Sequence, residues 1–295
     1  MTGLLKIQGR LSEIAPGMQV RRVLPAVSKR AVGPFVFFDH MGPIALGPGM
    51  NGDVDGHPHI GLATLTYLFE GSLLHRDSIG SQQVIAPGAV NWMVAGSGVV
   101  HSERNPGEEA GNSRRIHGLQ LWVALPPEKE EMPPSFQHVG AGDVPIVRLP
   151  GAELRVLVGE AFGLVSPVAT LTPTLYLDVQ LSPDTTWSLP ALAPEMALYC
   201  PEHSLEVNGQ EVEPCAMVVL TEGATTAVST RSEGARFVVI GGAPLERPVH
   251  MWWNYVSTSK DRIAAAAKRW NQGGFAPIPG ESTRVEGPKW IDREA

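Results

Sequence analysis

The chain has 295 residues, of which 18% are charged and 6% aromatic, and it carries a formal net charge of −7. With no basic block, that acidity argues against nucleic acid as a direct ligand, and no apolar run reaches the ~18 residues of a membrane span. The 32 glycines and 26 prolines, spread along the sequence, exclude a coiled coil or helical bundle and point to many short elements joined by turns.

The first residues, MTGLLKIQGRLSEI, hold no long apolar stretch, so no signal peptide is read there and a cytoplasmic protein is expected. Strand-like runs follow in order: Leu62 to Phe69, Ala89 to Ala95 and Leu119 to Leu125, then Leu154 to Val158, Leu175 to Leu181 and Phe237 to Ile240. In LYLDVQL, Leu175, Leu177, Val179 and Leu181 face one way and Tyr176, Asp178 and Gln180 the other, the period of a half-buried strand. Between residues 125 and 144 four prolines and an acidic cluster interrupt the pattern, and the segment reads as an inter-domain linker. The expected division is therefore residues 1–135 and residues 136–295, two β domains of similar size. Cys200 and Cys215 are too few for a disulfide framework. One helix is expected near the C-terminus. Hydroxyls at Ser257, Thr258 and Ser259 cap it, Asp261 completes a capping-box variant, and Ile263, Ala266, Ala267 and Trp270 form its apolar face. Gly273-Gly274 stops it, and an extended tail follows.

Two short motifs carry chemistry. GHPHIG holds His57 and His59, and GVVHSER holds His101 and Glu103. Residues i and i+2 of a strand share a face, so each pair presents two ligands side by side. Adjacent strands bearing both pairs would gather three imidazoles and a carboxylate, a set that suits Fe, Mn, Ni, Cu or Zn. A six-coordinate ion would keep two positions open for water, substrate or O2. The other histidines, at 40, 75, 117, 138, 203 and 250, are scattered and read as ordinary structural or surface side chains. No His-x-His occurs in the second half, so no such centre is expected there.

GPFVFFDHMGP (Gly33 to Pro43), HPHIGLATLTYLFEG (His57 to Gly71) and MVAGSGVVHSER (Met93 to Arg104) closely resemble the signature stretches of pirins, members of the cupin superfamily. HMWWNYVSTSKDRI (His250 to Ile263) resembles the matching segment of a bacterial pirin subgroup. The resemblance implies an all-β bicupin, two β-barrel domains packed together with a short C-terminal helix, and one metal ion in the first barrel only. Pirin ligands map onto His57, His59, His101 and Glu103. Fe(II) is the first expectation for the ion, with Ni, Cu, Mn or Zn as alternatives. Many pirins carry Arg at the position of Ile60 and Glu at that of Ala63, so a less polar surrounding is expected here.

Two roles follow from the resemblance. One is a quercetin 2,3-dioxygenase, opening a phenolic, flavonol-like substrate with O2, with Glu103 as the base taking the 3-hydroxyl proton. The other is an iron-dependent, redox-sensitive adaptor that binds a transcription factor or a metabolic enzyme.

Overall fold

The computed structural model describes residues 4–15, 18–47, 52–106 and 113–290. The strand-forming runs fold into two copies of one arrangement, a seven-stranded sheet facing a four-stranded one. In the first copy, Ser135–Val139, Val90–Val94, Leu62–Glu70, Arg114–Ala124, Phe35–Leu46, Met18–Leu24 and Arg10–Ala15 pair in that order. Val54–His59, Val99–Arg104, Leu73–Asp77 and Gln82–Ile85 make its four-stranded wall. The second copy has the same counts, its small wall running Thr186–Leu189, Thr226–Ser229, Leu205–Val207 and Gln210–Val212. The protein is thus a bicupin, and the repeat is plain in topology where the sequence shows none sharp enough to prove it.

Chain order and barrel membership part at both ends. Leu5–Gln8 pairs with Ala216–Val219 in the second barrel. The stretch read as a linker holds a 3₁₀ turn at Pro127–Lys129 and the strand Ser135–Val139, which closes the edge of the first barrel's large sheet. The only α-helix among the described residues, Lys260–Asn271, also packs on the first barrel. It is not long enough to span a membrane.

The two seven-stranded sheets press their outer faces together. Ala63, Leu65, Tyr67, Leu119 and Leu121 from the first meet Tyr176, Ala197, Met217, Val238 and Ile240 from the second in one buried apolar cluster. This explains a departure from the half-buried strand expected at Leu175–Leu181. Leu175, Leu177, Val179 and Leu181 do fill the second barrel. On the opposite face Tyr176 is fully enclosed and Asp178 is 2% exposed, because both lie in the inter-barrel contact, while Gln180 stays exposed as expected. A buried carboxylate there must be paired. Arg236 grips both Asp178 oxygens, at 2.9 and 2.6 Å, and Tyr67 Oη donates across the interface to Asp178 Oδ2 at 2.6 Å.

A second polar cluster lies in the same interface. His40 Nε2 and His117 Nε2 are 2.8 Å apart, and His40 Nδ1 is 2.8 Å from Tyr199 Oη. The two facing ring nitrogens share one proton, so the His40–His117 contact cannot form with both of them protonated, whereas the Tyr199 hydroxyl can donate or accept. Burial, then the neighbouring His117 and Arg21, push the His40 pKa down to about 3.

The helix follows its expected face: Ile263, Ala266, Ala267 and Trp270 are buried against Ile60, Val100 and Tyr255. Its cap differs from expectation. Ser259 is the N-cap but makes no side-chain cap bond. The Ser257 hydroxyl accepts from Ser259 N–H at 3.0 Å, and Glu130, reaching from the inter-barrel segment and 1% exposed, braces the approach by accepting from Thr258 N–H at 2.8 Å, from Ser257 Oγ at 2.6 Å and from Arg262. A carboxylate matches the positive end of the helix better than a hydroxyl does. Gly274 N–H donates to Arg269 O at 2.8 Å and closes the far end where the glycine pair stands.

Two outcomes are expected. Because His40 is held neutral in the fold but has an ordinary pKa near 6.5 when unfolded, its contribution is present above pH 6.5 and is lost as pH falls toward 3. Denaturant unfolding should show stability dropping over that window by up to about 1.4 kcal/mol per pH unit for this group. His40→Gln should flatten the slope; an unchanged slope would contradict the assignment. Trp270→Ala removes a ring 4% exposed, and its bond to Val285 O, and should cost about 3–5 kcal/mol in the same assay.

Candidate metal centre

The four-stranded wall of the first barrel brings the two motifs together. His57 lies directly opposite His101, and His59 opposite Val99. Cross-strand partners share a face, so the three rings converge, with centroids 4.3 to 5.1 Å apart. One nitrogen from each lies within 4.8 Å of the other two. A bulge between His101 and Glu103 shifts the register, leaving Glu103 opposite Val54. Glu103 lines the same cavity, with Oε1 3.5 Å from His101 Nδ1, but it stands outside the tight three-nitrogen group.

Backbone carbonyls fix two of the rings. His57 Nδ1 is 2.9 Å from Asp55 O, and His59 Nδ1 is 3.0 Å from Asn254 O. The carbonyls can only accept, so Nδ1 carries the proton and Nε2 keeps a free lone pair. His101 is 2% exposed and neither ring nitrogen has a hydrogen-bond partner. An unpaired buried imidazole is costly unless something occupies the space between the rings. Burial first, and the neighbouring histidines next, hold the pKa of His59 and of His101 well below the usual value. All of this favours neutral, ligating imidazoles, so His57, His59 and His101 could hold a metal ion.

The support is non-local. Asn254 sits at the tip of a hairpin formed by His250–Trp252 and Tyr255–Ser257. Val256 N–H bonds to Ile60 O, seating that hairpin beside GHPHIG. Gly61 permits the approach: its φ is +68°, and a Cβ there would lie 2.0 Å from Val256 O. Behind the ligand strands, the tail returns along Gly56, where Val285 N–H donates to Gly56 O at 2.9 Å. Arg104 ties Asp55 to Glu281.

The rings open on a cavity of about 330 Å³. Phe37 and Trp122 stack at 3.8 Å, and Trp122 meets the His59 ring edge-on at 5.0 Å. Met18, Val20, Met41 and Leu73 supply apolar wall, and Trp253 stands beside Asn254. Two expectations change here. Ala63 belongs to the inter-barrel cluster and Ile60 packs under the helix, so neither position sets the polarity of the cavity. That polarity comes from Glu13, Arg22, Asp39 and Gln120, which sequence reasoning passed over. It also missed His75 and Asp77, paired at 3.0 Å on the strand beside His101, although His-x-Asp is itself a same-face pair. The equivalent space in the second barrel is filled by Trp187, Leu189, Val207, Val212 and Val228.

Fold and site together define a cupin with a histidine centre in one of two barrels. The Pirin family profile matches residues 17–123, and the Pirin C-terminal cupin domain profile matches residues 176–276. A pirin-like protein of Caulobacter vibrioides is 48% identical over 275 residues, covering 88% of this chain and 94% of its own. Human pirin is 32% identical, covering 89% of each. The crystal structure of a quercetin 2,3-dioxygenase from Acinetobacter baumannii superposes with a TM-score of 0.91 at 37% identity, over 99% of this chain and 97% of that one. The chain belongs to the pirin family.

His59→Ala should lower metal content severely, measured by elemental analysis after reconstitution, with far-ultraviolet circular dichroism unchanged. His203→Ala and His250→Ala should leave it unaltered. Full metal in the His59 variant would sink the assignment.

Proposed function

We propose that the chain is a mononuclear metal dioxygenase of the quercetin 2,3-dioxygenase type, with the ion held by His57, His59, His101 and Glu103. Iron(II) suits this donor set, as do nickel, copper, manganese and zinc. The observation that carries the reading is the pair of unpartnered, buried His101 nitrogens facing His57 and His59 at the end of an aromatic-walled cavity. Its volume falls within the ~300–1,000 Å³ range of small-molecule sites. The 37%-identical A. baumannii relative, named for this activity, supports the same substrate class.

When bound, the ion supplies Lewis acidity toward a substrate oxygen and a meeting point for O2. The chain's own residues do the rest. The stacked Phe37–Trp122 pair lines the cavity and offers edge contacts to a planar flavonol. The apolar wall of Met18, Val20, Met41 and Leu73 limits competing water. Glu103 is the carboxylate nearest the three rings; its side chain is 14% exposed, and it is placed to take the 3-hydroxyl proton of the substrate. The carbonyls of Asp55 and Asn254 keep His57 and His59 in one tautomer throughout.

Iron-loaded protein mixed with quercetin in air should consume O2 as the flavonol absorbance falls, above the rate with free iron. Glu103→Gln keeps the shape and an oxygen but is no base. It should retain part of the metal and lose about 10²–10⁴-fold in rate. Wild-type protein that does not exceed the free-iron background refutes the reading. A Glu103→Gln variant as fast as wild type removes the base role alone.

A further inference from the structure

Opposite the histidines, one polar row crosses the whole large sheet of the first barrel. Register places His138 beside Asn91, Asn91 beside Thr66, Thr66 beside Gln120, Gln120 beside Asp39, Asp39 beside Arg22, and Arg22 beside Arg10. Cross-strand partners share a face, so these side chains form a single line along the cavity side. On either side the same strands present apolar or aromatic residues: Val20 before Arg22, Phe37 and Met41 around Asp39, Trp122 after Gln120.

Most of the row is satisfied within itself. His138 Nδ1 lies 2.7 Å from Asn91 Oδ1, and Thr66 Oγ1 donates to Gln120 Oε1 at 2.8 Å. Arg22 forks Asp39 through Nε at 2.9 Å and Nη2 at 2.8 Å. Two donors are left over. Arg22 Nη1 takes no part in the fork, and Gln120 Nε2 is not engaged by Thr66; neither has a hydrogen-bond partner among the described residues. Both side chains line the cavity. A guanidinium has no acceptor, so Arg22 Nη1 can only donate to an occupant, and the Gln120 amide presents its N–H groups while its oxygen already accepts from Thr66.

Position gives these donors a purpose. The Arg22 guanidinium lies 4.4 Å over the Phe37 ring, Phe37 stacks on Trp122 at 3.8 Å, and Trp122 touches His59 at 5.0 Å. Those spacings keep the guanidinium within about 13 Å of the His59 ring, along one column of packed side chains. A buried ion pair gains little stability over an apolar pair of the same volume, so the fork is better explained as a mount that holds Arg22 rigid.

Resting on the flavonol reading above, we propose that Arg22 and Gln120 form a distal subsite. It binds oxygen substituents on the end of the substrate remote from the chelating oxygens. The site therefore selects planar aromatic chelators hydroxylated at that far end, as phenol or phenolate, over those bearing the chelating pair alone. Asp39 is a positioning residue for Arg22.

The test compares quercetin with 3-hydroxyflavone, which has the chelating oxygens and no other hydroxyl. Binding to metal-loaded protein is read without O2, by quenching of tryptophan fluorescence, and turnover is read separately in air. A hydrogen bond to a charged group contributes about 1.5–3 kcal/mol, or roughly 10–100-fold in Kd. Wild type should bind quercetin tighter than 3-hydroxyflavone by that factor. Arg22→Met alone would strand the Asp39 charge, so the first variant is the pair Arg22→Met with Asp39→Leu, which removes both charges and keeps the bulk over Phe37. The second is Gln120→Met. Each should weaken quercetin about 10-fold or more, raise KM more than it lowers kcat, and leave 3-hydroxyflavone within about 2-fold. Equal loss for both ligands, or none for quercetin, overturns the subsite while leaving the flavonol reading intact. Wild-type protein that binds neither ligand overturns both.

Discussion

Three imidazoles have ligand atoms within 4.8 Å of one another, and the two almost wholly enclosed ones, His59 and His101, fit a folded protein only if they stay neutral and point the right way. Protonating His59 or His101 would bury a charge beside two more bases with no anion in close contact except Glu103. The surrounding architecture answers that constraint. The four-stranded wall sets the spacing, carbonyls set two tautomers, and the bulge sets Glu103 apart from the rings. The carbonyl on His59 comes from 195 residues further along the chain, and the helix and tail that steady the ligand strands come later still. The described C-terminal hairpin, helix and tail are structurally part of the first barrel.

The second barrel takes the same topology to the opposite end. Where the first has imidazoles, the second packs tryptophan, leucine and valine, and its interior is core. It buries the outer face of the first barrel's large sheet, which would otherwise expose Leu65, Tyr67, Leu119 and Leu121 to water. The same sheet carries the polar row on its cavity side. Docking the two barrels therefore also steadies the wall on which a substrate would lie. The Tyr67–Asp178–Arg236 and His40–His117–Tyr199 clusters fix the register of that contact, since each buried polar group there has one geometry that satisfies it.

Much of this was legible in the sequence, and for identifiable reasons. His-x-His and His-x-Glu flanked by β-branched residues are local patterns with a local geometric meaning, and the structure joins the three histidines as that geometry requires. The helix face was equally local. What escaped notice was written across strands rather than along them. Arg22, Asp39, Gln120 and Thr66 are far apart in sequence and become a row only through register. Asn254 acts through its backbone carbonyl, which no side-chain pattern encodes. Glu130 looked like part of an acidic linker because its partners lie beyond residue 256. Asp178 looked like a solvent-facing residue of an alternating strand, since alternation cannot distinguish water from a second barrel. The departures from the pirin pattern at Ile60 and Ala63 marked positions that face away from the cavity.

The central claim is that one metal ion is held in the first barrel by the three histidines with Glu103. X-ray absorption at the metal edge of the reconstituted protein tests it most directly. The account predicts a first shell of nitrogen and oxygen only, with the outer-shell multiple scattering of three imidazoles. A shell containing sulfur, or one of oxygen without imidazole scattering, would contradict it.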